Sequence, residues 1–154
     1  MKNVLLKSDT GTYVLIFHCL STNQVQVGKW GLIHIEPGYY LYVGSAFGPG
    51  GINARVTRHH RTNKAKHWHI DYLREHMDLI SVWYNYDNKK LEHQWAQALS
   101  HMSDSAMADM DPIHGFGCSD CQCYSHLFRT INEPGFKLFS NKAGGMIKSS
   151  VFYE

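Results

Sequence analysis

The sequence predicts a mixed α/β domain with a small, mostly antiparallel sheet flanked by helices, and three observations predict it. Thr12–His18 and Tyr39–Gly44 are rich in β-branched and aromatic residues and alternate as strands do. A glycine-rich loop, Ser45 to Gly51, joins the second run to a segment with helical spacing. A later segment carries Leu91, Trp95, Ala98 and Leu99 on one helical face. The chain has 154 residues, 44% hydrophobic and 18% charged, which fits one globular domain and excludes a disordered chain. We take 1–154 as a single domain, its core at about 9–103 and a Cys/His segment with C-terminal strands at about 104–154.

The elements follow in order. In Thr12–His18, Tyr13, Leu15 and Phe17 share one face and Val14, Ile16 and His18 the other. Gln24–Val27 and Gly31–Ile35 read as two short strands of a hairpin, with Gly28 in its turn. Pro37-Gly38 breaks the chain before Tyr39–Gly44, where Tyr40 and Tyr42 oppose Leu41 and Val43. The glycine-rich loop opens a helix from about Ile52 to Arg61. A short helix near Ile70–Glu75 and a strand near Leu79–Tyr86 come next. Asp87 or Asn88 is placed to cap a helix reaching Met102. From His126 onward, Glu133-Pro134-Gly135 and Gly144-Gly145 divide the chain into three short strands.

No apolar run approaches the ~20 residues of a membrane-spanning helix. The first residues carry too short an apolar stretch for a secretory leader, and the clustered cysteines do not form a secreted scaffold; both predict a cytoplasmic protein. A net charge of +2 conceals a segregation. From Pro37 to Ile70 there are five cations (Arg55, Arg58, Arg61, Lys64, Lys66) and no acid. From Leu91 to Phe128 there are five acids and no Lys or Arg. Such a split points to an anionic ligand at one region and a cation at the other, or to two segments that pair with each other.

Singly, the motifs are short: Gly11-Thr12-Tyr13, Tyr42-Val43-Gly44, Arg55-x-x-x-His59 and Glu92-x-x-Trp95. Their order resembles the GIY-YIG nuclease superfamily. The likeness is nearest to a branch of it carrying Gly38-Tyr39-Tyr40-Leu41-Tyr42-Val43-Gly44-Ser45-Ala46-Phe47-Gly48-Pro49-Gly50-Gly51, then His67-Trp68-His69-Ile70-Asp71-Tyr72-Leu73, then Ser119-Asp120-Cys121-x-Cys123 and Ser125-His126-Leu127. Thr12 stands where the first motif usually has Ile. The gap from Tyr13 to Tyr42 is also longer than usual, and the hairpin at Gln24–Ile35 would fill it.

The resemblance implies a metal-dependent endonuclease with Tyr13, Tyr42, Arg55, His59 and Glu92 as catalytic residues. Helix geometry is a separate check, and taken alone it also fits an arginine paired with a core-edge carboxylate. At about 100° per residue, Ile52 and Val56 point inward, with Arg55 and His59 flanking them about 40° apart, while Arg58 and Arg61 fall on the outer side. A cation at the core edge is costly unless used or paired. Glu92 borders its own helix's buried stripe and needs a partner there, such as a cation, a backbone donor or a metal. A single carboxylate suits Mg²⁺ or Mn²⁺ shared with phosphate oxygens.

In the reaction this implies, water attacks in line with a leaving 3′-oxygen while Arg55 stabilises the non-bridging oxygens. Tyr13 or Tyr42 is the general base, or His59, since imidazoles titrate near neutral pH. Ionising a phenol at pH 7 costs ~4 kcal/mol, which the site must supply unless the tyrosine hands its proton on. Gly44, Ser45, Arg58, Arg61, Lys64, Lys66 and His67, with the glycine-rich loop, are placed to hold the nucleic-acid backbone, DNA before RNA.

Cys118-x-x-Cys121-x-Cys123-x-x-His126 offers soft ligands, and the resemblance singles out Cys121, Cys123 and His126 as a second, zinc-type site. Four ligands in one tight loop strain a tetrahedron, so reduced buried thiols are the competing reading. Trp30, Trp83, Tyr84 and Tyr86 read as core, and Trp68 as either core or a stacking surface for a base. A non-catalytic nucleic-acid-binding domain and a metal- or redox-responsive interaction module are the alternatives to a nuclease.

Overall fold

A computed structural model describes residues 6–62, 65–103, 111–112, 116 and 125–152. Among them, the strands are β1 (Gly11–Cys19), β2 (Asn23–Val27), β3 (Gly31–Ile35), β4 (Gly38–Ala46), β5 (Asp78–Asn85), β6 (Asp111–Pro112), β7 (Leu127–Thr130) and β8 (Lys148–Val151). The helices are α1 (Gly51–His60), α2 (His69–Arg74), α3 (Glu92–Ser103) and α4 (Phe136–Ala143). Six strands form one sheet in the order β6-β7-β4-β1-β5-β8, and β2 and β3 pair apart from it. Every pairing is antiparallel, so the fold class is the one the sequence predicts.

The alternation along β1 and β4 divides the core as expected. Tyr13, Leu15, Phe17 and Tyr40 bury on one face with Ile52 and Val56 of α1, Ile70 and Leu73 of α2, and the inward residues of the hairpin. Val14, Ile16, Leu41 and Val43 bury on the other face with Trp95, Ala98 and Leu99 of α3 and Phe139 of α4. The hairpin occupies the long gap between the two tyrosine motifs, as expected, and β1 still meets β4 directly. Their register sets Tyr13 opposite Gly44 and Thr12 opposite Ser45.

Both motif glycines are required by close approach. A Cβ on Gly44 would run into the Tyr13 hydroxyl and ring, and one on Gly11 into the carbonyl oxygen of Asn85 on β5.

Three expectations are corrected. The middle of the three C-terminal strands is instead the helix α4, because Phe139 and Ala143, four residues apart, both bury against the α3 face. The helix expected to start at Asp87 or Asn88 starts at Glu92; the Asp87 carboxylate accepts from the Lys89 N–H at 3.0 Å in a turn ahead of it. Trp30 is not core: it sits past the hairpin ladder, 39% exposed, whereas Trp83 and Tyr84 are buried and Tyr86 is partly buried. No helix among the described residues is long and apolar enough to cross a membrane.

Candidate functional site

The site lies where the start of β1, the end of β4, α1 and the first turn of α3 meet. Tyr13 comes from β1, Tyr42 and Ser45 from β4, Arg55 and His59 from α1, and Glu92 from the start of α3. Tyr13, Tyr42, Ser45, Arg55 and Glu92 line one cavity of about 680 Å³. Residues from four distant stretches of sequence therefore converge on one pocket, as expected.

α1 is held at both ends. Its first-turn N–H groups are taken by backbone carbonyls: Ile52 donates to Asp9 at 2.9 Å and Asn53 to Lys7 at 3.0 Å. The expectation that the glycine-rich loop holds phosphate is narrowed by this, because those helix amides already have acceptors. At the other end, buried Arg74 donates to the carbonyls of His59 at 2.9 Å and His60 at 2.7 Å. Arg55 and His59 thus project from a helix closed at each terminus.

His59 is 2% exposed, and its Nε2 lies 2.9 Å from the Tyr13 hydroxyl. Burial pushes the Tyr13 phenol well above its ordinary range, with Tyr42 and Glu92 adding to the rise and the Arg55 guanidinium pulling against it. Tyr13 is therefore a neutral phenol at pH 7. The site does not ionise it; it gives it a histidine neighbour.

Glu92 is held by two donors. The Ser45 hydroxyl donates to Oε1 at 2.5 Å, and His126 Nδ1 lies 2.7 Å from Oε2. Burial opposes the charge, yet the bonds from His126 and Ser45 outweigh it and keep the carboxyl below its ordinary range. Glu92 is thus a carboxylate at neutral pH, with its side chain 25% exposed at the pocket wall. Thr12, the departure from the usual Ile, has a structural role here. Its buried hydroxyl accepts from the Leu91 N–H at 3.3 Å, tying the start of α3 to β1 directly beside Glu92.

The remaining predicted residues divide. Gly44, Ser45 and His67 line the cavity. Arg58 does not face a backbone freely. Its guanidinium makes two bonds to the fully buried Asp71 carboxylate, at 3.1 and 2.9 Å, and lies 4.2 Å from the Trp68 ring centroid. Asp71 also accepts from the His67 and Trp68 N–H groups at 2.7 and 2.9 Å, so the pair shapes the segment that enters the pocket. Lys66 pairs with Glu75, and Arg61 is exposed past the end of α1. Lys64, Cys118, Cys121 and Cys123 lie outside the described residues. Of the second metal set only His126 is described, and it is turned to Glu92. Among the described residues no group of three or more His, Cys, Asp and Glu could hold a metal ion.

Sequence reasoning missed Lys90, His69 and His93 in the pocket wall and read Trp68 as core or a stacking surface. Trp68 is in the wall, with the Arg55 guanidinium 4.7 Å from its ring centroid. Lys89-Lys90 just ahead of a helix was the available signal for Lys90.

The family model described as domain of unknown function DUF123 matches residues 12–146. The chain belongs to this family. In this DUF123 chain the match spans every residue that lines the pocket, from Tyr13 to His93, and also His126 behind Glu92. Comparison with curated proteins and with solved structures gives no match.

Proposed function

We propose that this DUF123 chain is a GIY-YIG-type endonuclease that hydrolyses phosphodiester bonds in nucleic acid, with DNA the first substrate to test. The observation that supports this most is the meeting, in one pocket, of a neutral phenol on a histidine, a guanidinium and the one carboxylate that lines it among the described residues. That set matches the needs of phosphodiester hydrolysis: a proton acceptor for water, a cation for the non-bridging oxygens, and an acid able to bind a divalent ion.

Glu92 fits a divalent ion. It is ionised, lines the pocket wall, and among the described residues is the one carboxylate there, of the kind that shares Mg²⁺ with water and phosphate. Mg²⁺ or Mn²⁺ held by Glu92 would supply Lewis-acid stabilisation at the leaving oxygen. Ser45 and His126 fix the carboxylate's direction. Arg55, steadied on the Trp68 ring, stabilises charge on the non-bridging oxygens.

Tyr13 takes the proton of the attacking water as it passes its own to His59 Nε2. This leaves a neutral phenol and an imidazolium, so no phenolate is needed. Zinc on Cys121, Cys123 and His126 is not part of this reading.

The test is incubation of the purified chain with single-stranded, duplex and branched DNA in Mg²⁺, Mn²⁺ or chelator. Metal-dependent cutting lost in both Glu92→Gln and Arg55→Ala is expected. Cutting at the unmutated rate by either variant removes the mechanism. Binding without cutting on every substrate supports the non-catalytic alternative.

A further inference from the structure

Among the described residues, Trp30 is the exposed aromatic side chain next to the pocket. It lies in the tight turn of the β2–β3 hairpin, in Gly28-Lys29-Trp30-Gly31, where both glycines take positive φ values of 50° and 137°. The turn is anchored. Val25, Val27, Ile33 and Ile35 are buried in the main core, and the Trp30 N–H donates to the Val27 carbonyl at 2.9 Å.

The indole is anchored as well. Its ring centroid is 5.7 Å from that of buried Phe116 in an edge contact and 6.3 Å from that of His69. His69 and its neighbour Trp68 are themselves pocket wall. Trp30 therefore extends that wall outward, held in place but 39% exposed.

We propose that Trp30 is a stacking platform for an unpaired nucleobase beside the phosphate in the pocket, so that the substrate is nucleic acid with a single-stranded segment at the cut. This deepens the nuclease reading and rests on it.

Three features favour a nucleic-acid strand as the occupant. Apart from Leu32, the other exposed side chains of the hairpin are polar or cationic: Gln24, Gln26, Lys29 and His34. Lys29 precedes Trp30 in the turn and adds an exposed cation to the hairpin tip. The platform is also continuous with a pocket carrying Arg55 and Lys90. Aromatic stacking accepts any base, because every base has a π-face. In an intact duplex that face is covered by the neighbouring base pairs, so stacking here requires a base that is unpaired or turned out.

The experiment measures binding of dye-labelled DNA by fluorescence anisotropy in chelator, where no cutting intervenes. Single-stranded, fully duplex and partly single-stranded oligonucleotides of one sequence are titrated with the wild-type chain, Trp30→Ala and Trp30→Phe. Trp30→Ala is expected to lose about five- to a hundredfold in affinity for the two DNAs with unpaired bases, and to stay within about twofold on duplex. Trp30→Phe, which keeps an aromatic face, should recover most of the loss; a loss confined to the DNAs with unpaired bases is what a merely structural role would not produce.

Equal affinities of wild type and Trp30→Ala on every DNA, or an equal loss on all three, overturn the platform and leave the nuclease reading standing; the tip then serves another partner, such as a protein. A wild-type chain that binds none of them overturns both. Selective loss at Trp30 without metal-dependent cutting supports the platform and strikes only the catalytic reading.

Discussion

The Tyr13 hydroxyl and the His59 imidazole lie 2.9 Å apart, across 46 residues of sequence, with both side chains almost wholly buried. Burial favours the neutral phenol, so this contact sets the form in which Tyr13 works. A phenolate base would give a cutting rate that climbs tenfold per pH unit on the alkaline side. The pair predicts a flat profile between about pH 8 and 9.5, below the ordinary phenol range near 10. Tyr13→Phe should lower the rate by about 10²–10⁴, together with a stability loss of about 1–3 kcal/mol from the stranded His59 imidazole that leaves the chain folded. A slope of one in the wild-type profile would return the role to a phenolate.

Glu92 yields a stability prediction with a definite sign. Its folded pKa is depressed, so its contribution is fully present above the unfolded value of about 4.3 and is lost as pH falls through the folded value. In urea unfolding wild type should be more stable than Glu92→Gln, with a gap that does not close between pH 7 and about 5. The gap should narrow only below about pH 4.3. A gap that closes nearer neutrality would mean that His126 and Ser45 do not hold the carboxylate as described.

Thr12→Val removes the acceptor of the Leu91 N–H while keeping shape. A loss of about 1–3 kcal/mol is expected from denaturant unfolding. Cutting should fall further than in Thr12→Ser, which keeps the hydroxyl, because Glu92 follows Leu91 directly.

Gly44→Ala places a methyl against the Tyr13 ring. Overpacking of this kind costs about 1–3 kcal/mol, and the lower melting temperature should come with a fall in kcat as the hydroxyl is displaced from His59. An alanine variant with wild-type melting and turnover would overturn the close approach of Gly44 to the Tyr13 ring.

Asp71→Ala strands the Arg58 guanidinium and frees the His67 and Trp68 amides. Breaking a buried pair from one side costs about 3–5 kcal/mol. The double variant Arg58→Ala/Asp71→Ala should be less destabilised than the sum of the singles, as a double-mutant cycle in urea would measure.

Much of this was legible in the sequence wherever one element's own period carries the information. The alternation in β1 and β4 identifies both buried faces, and the Leu91, Trp95, Ala98 and Leu99 spacing gives the inner face of α3. Tyr13, Tyr42, Arg55, His59 and Glu92 were read as a set, and they meet. What escaped was set by tertiary contact. Arg58 is on the outer side of α1 considered alone, but the chain folds back through α2 and brings Asp71 against it. Ser45 and His126 were read as a backbone contact and a zinc ligand, because nothing local ties either to Glu92. In α4, the Phe136, Phe139, Ala143 spacing was a helical signal overridden by the flanking Pro-Gly and Gly-Gly breaks, which suggested short strands. Trp30 was misread because the hairpin's alternation was extended into its turn, where side chains no longer alternate between faces.

The carbonyls of Lys7 and Asp9, which close the first turn of α1, give the stretch ahead of the sheet an unexpected status. A shortened chain starting at the first strand would keep every ladder partner of β1, yet the helix bearing the arginine and the histidine would lose its footing. Lys7 and Asp9 therefore underpin the placement of Arg55 and His59 from outside the pocket wall.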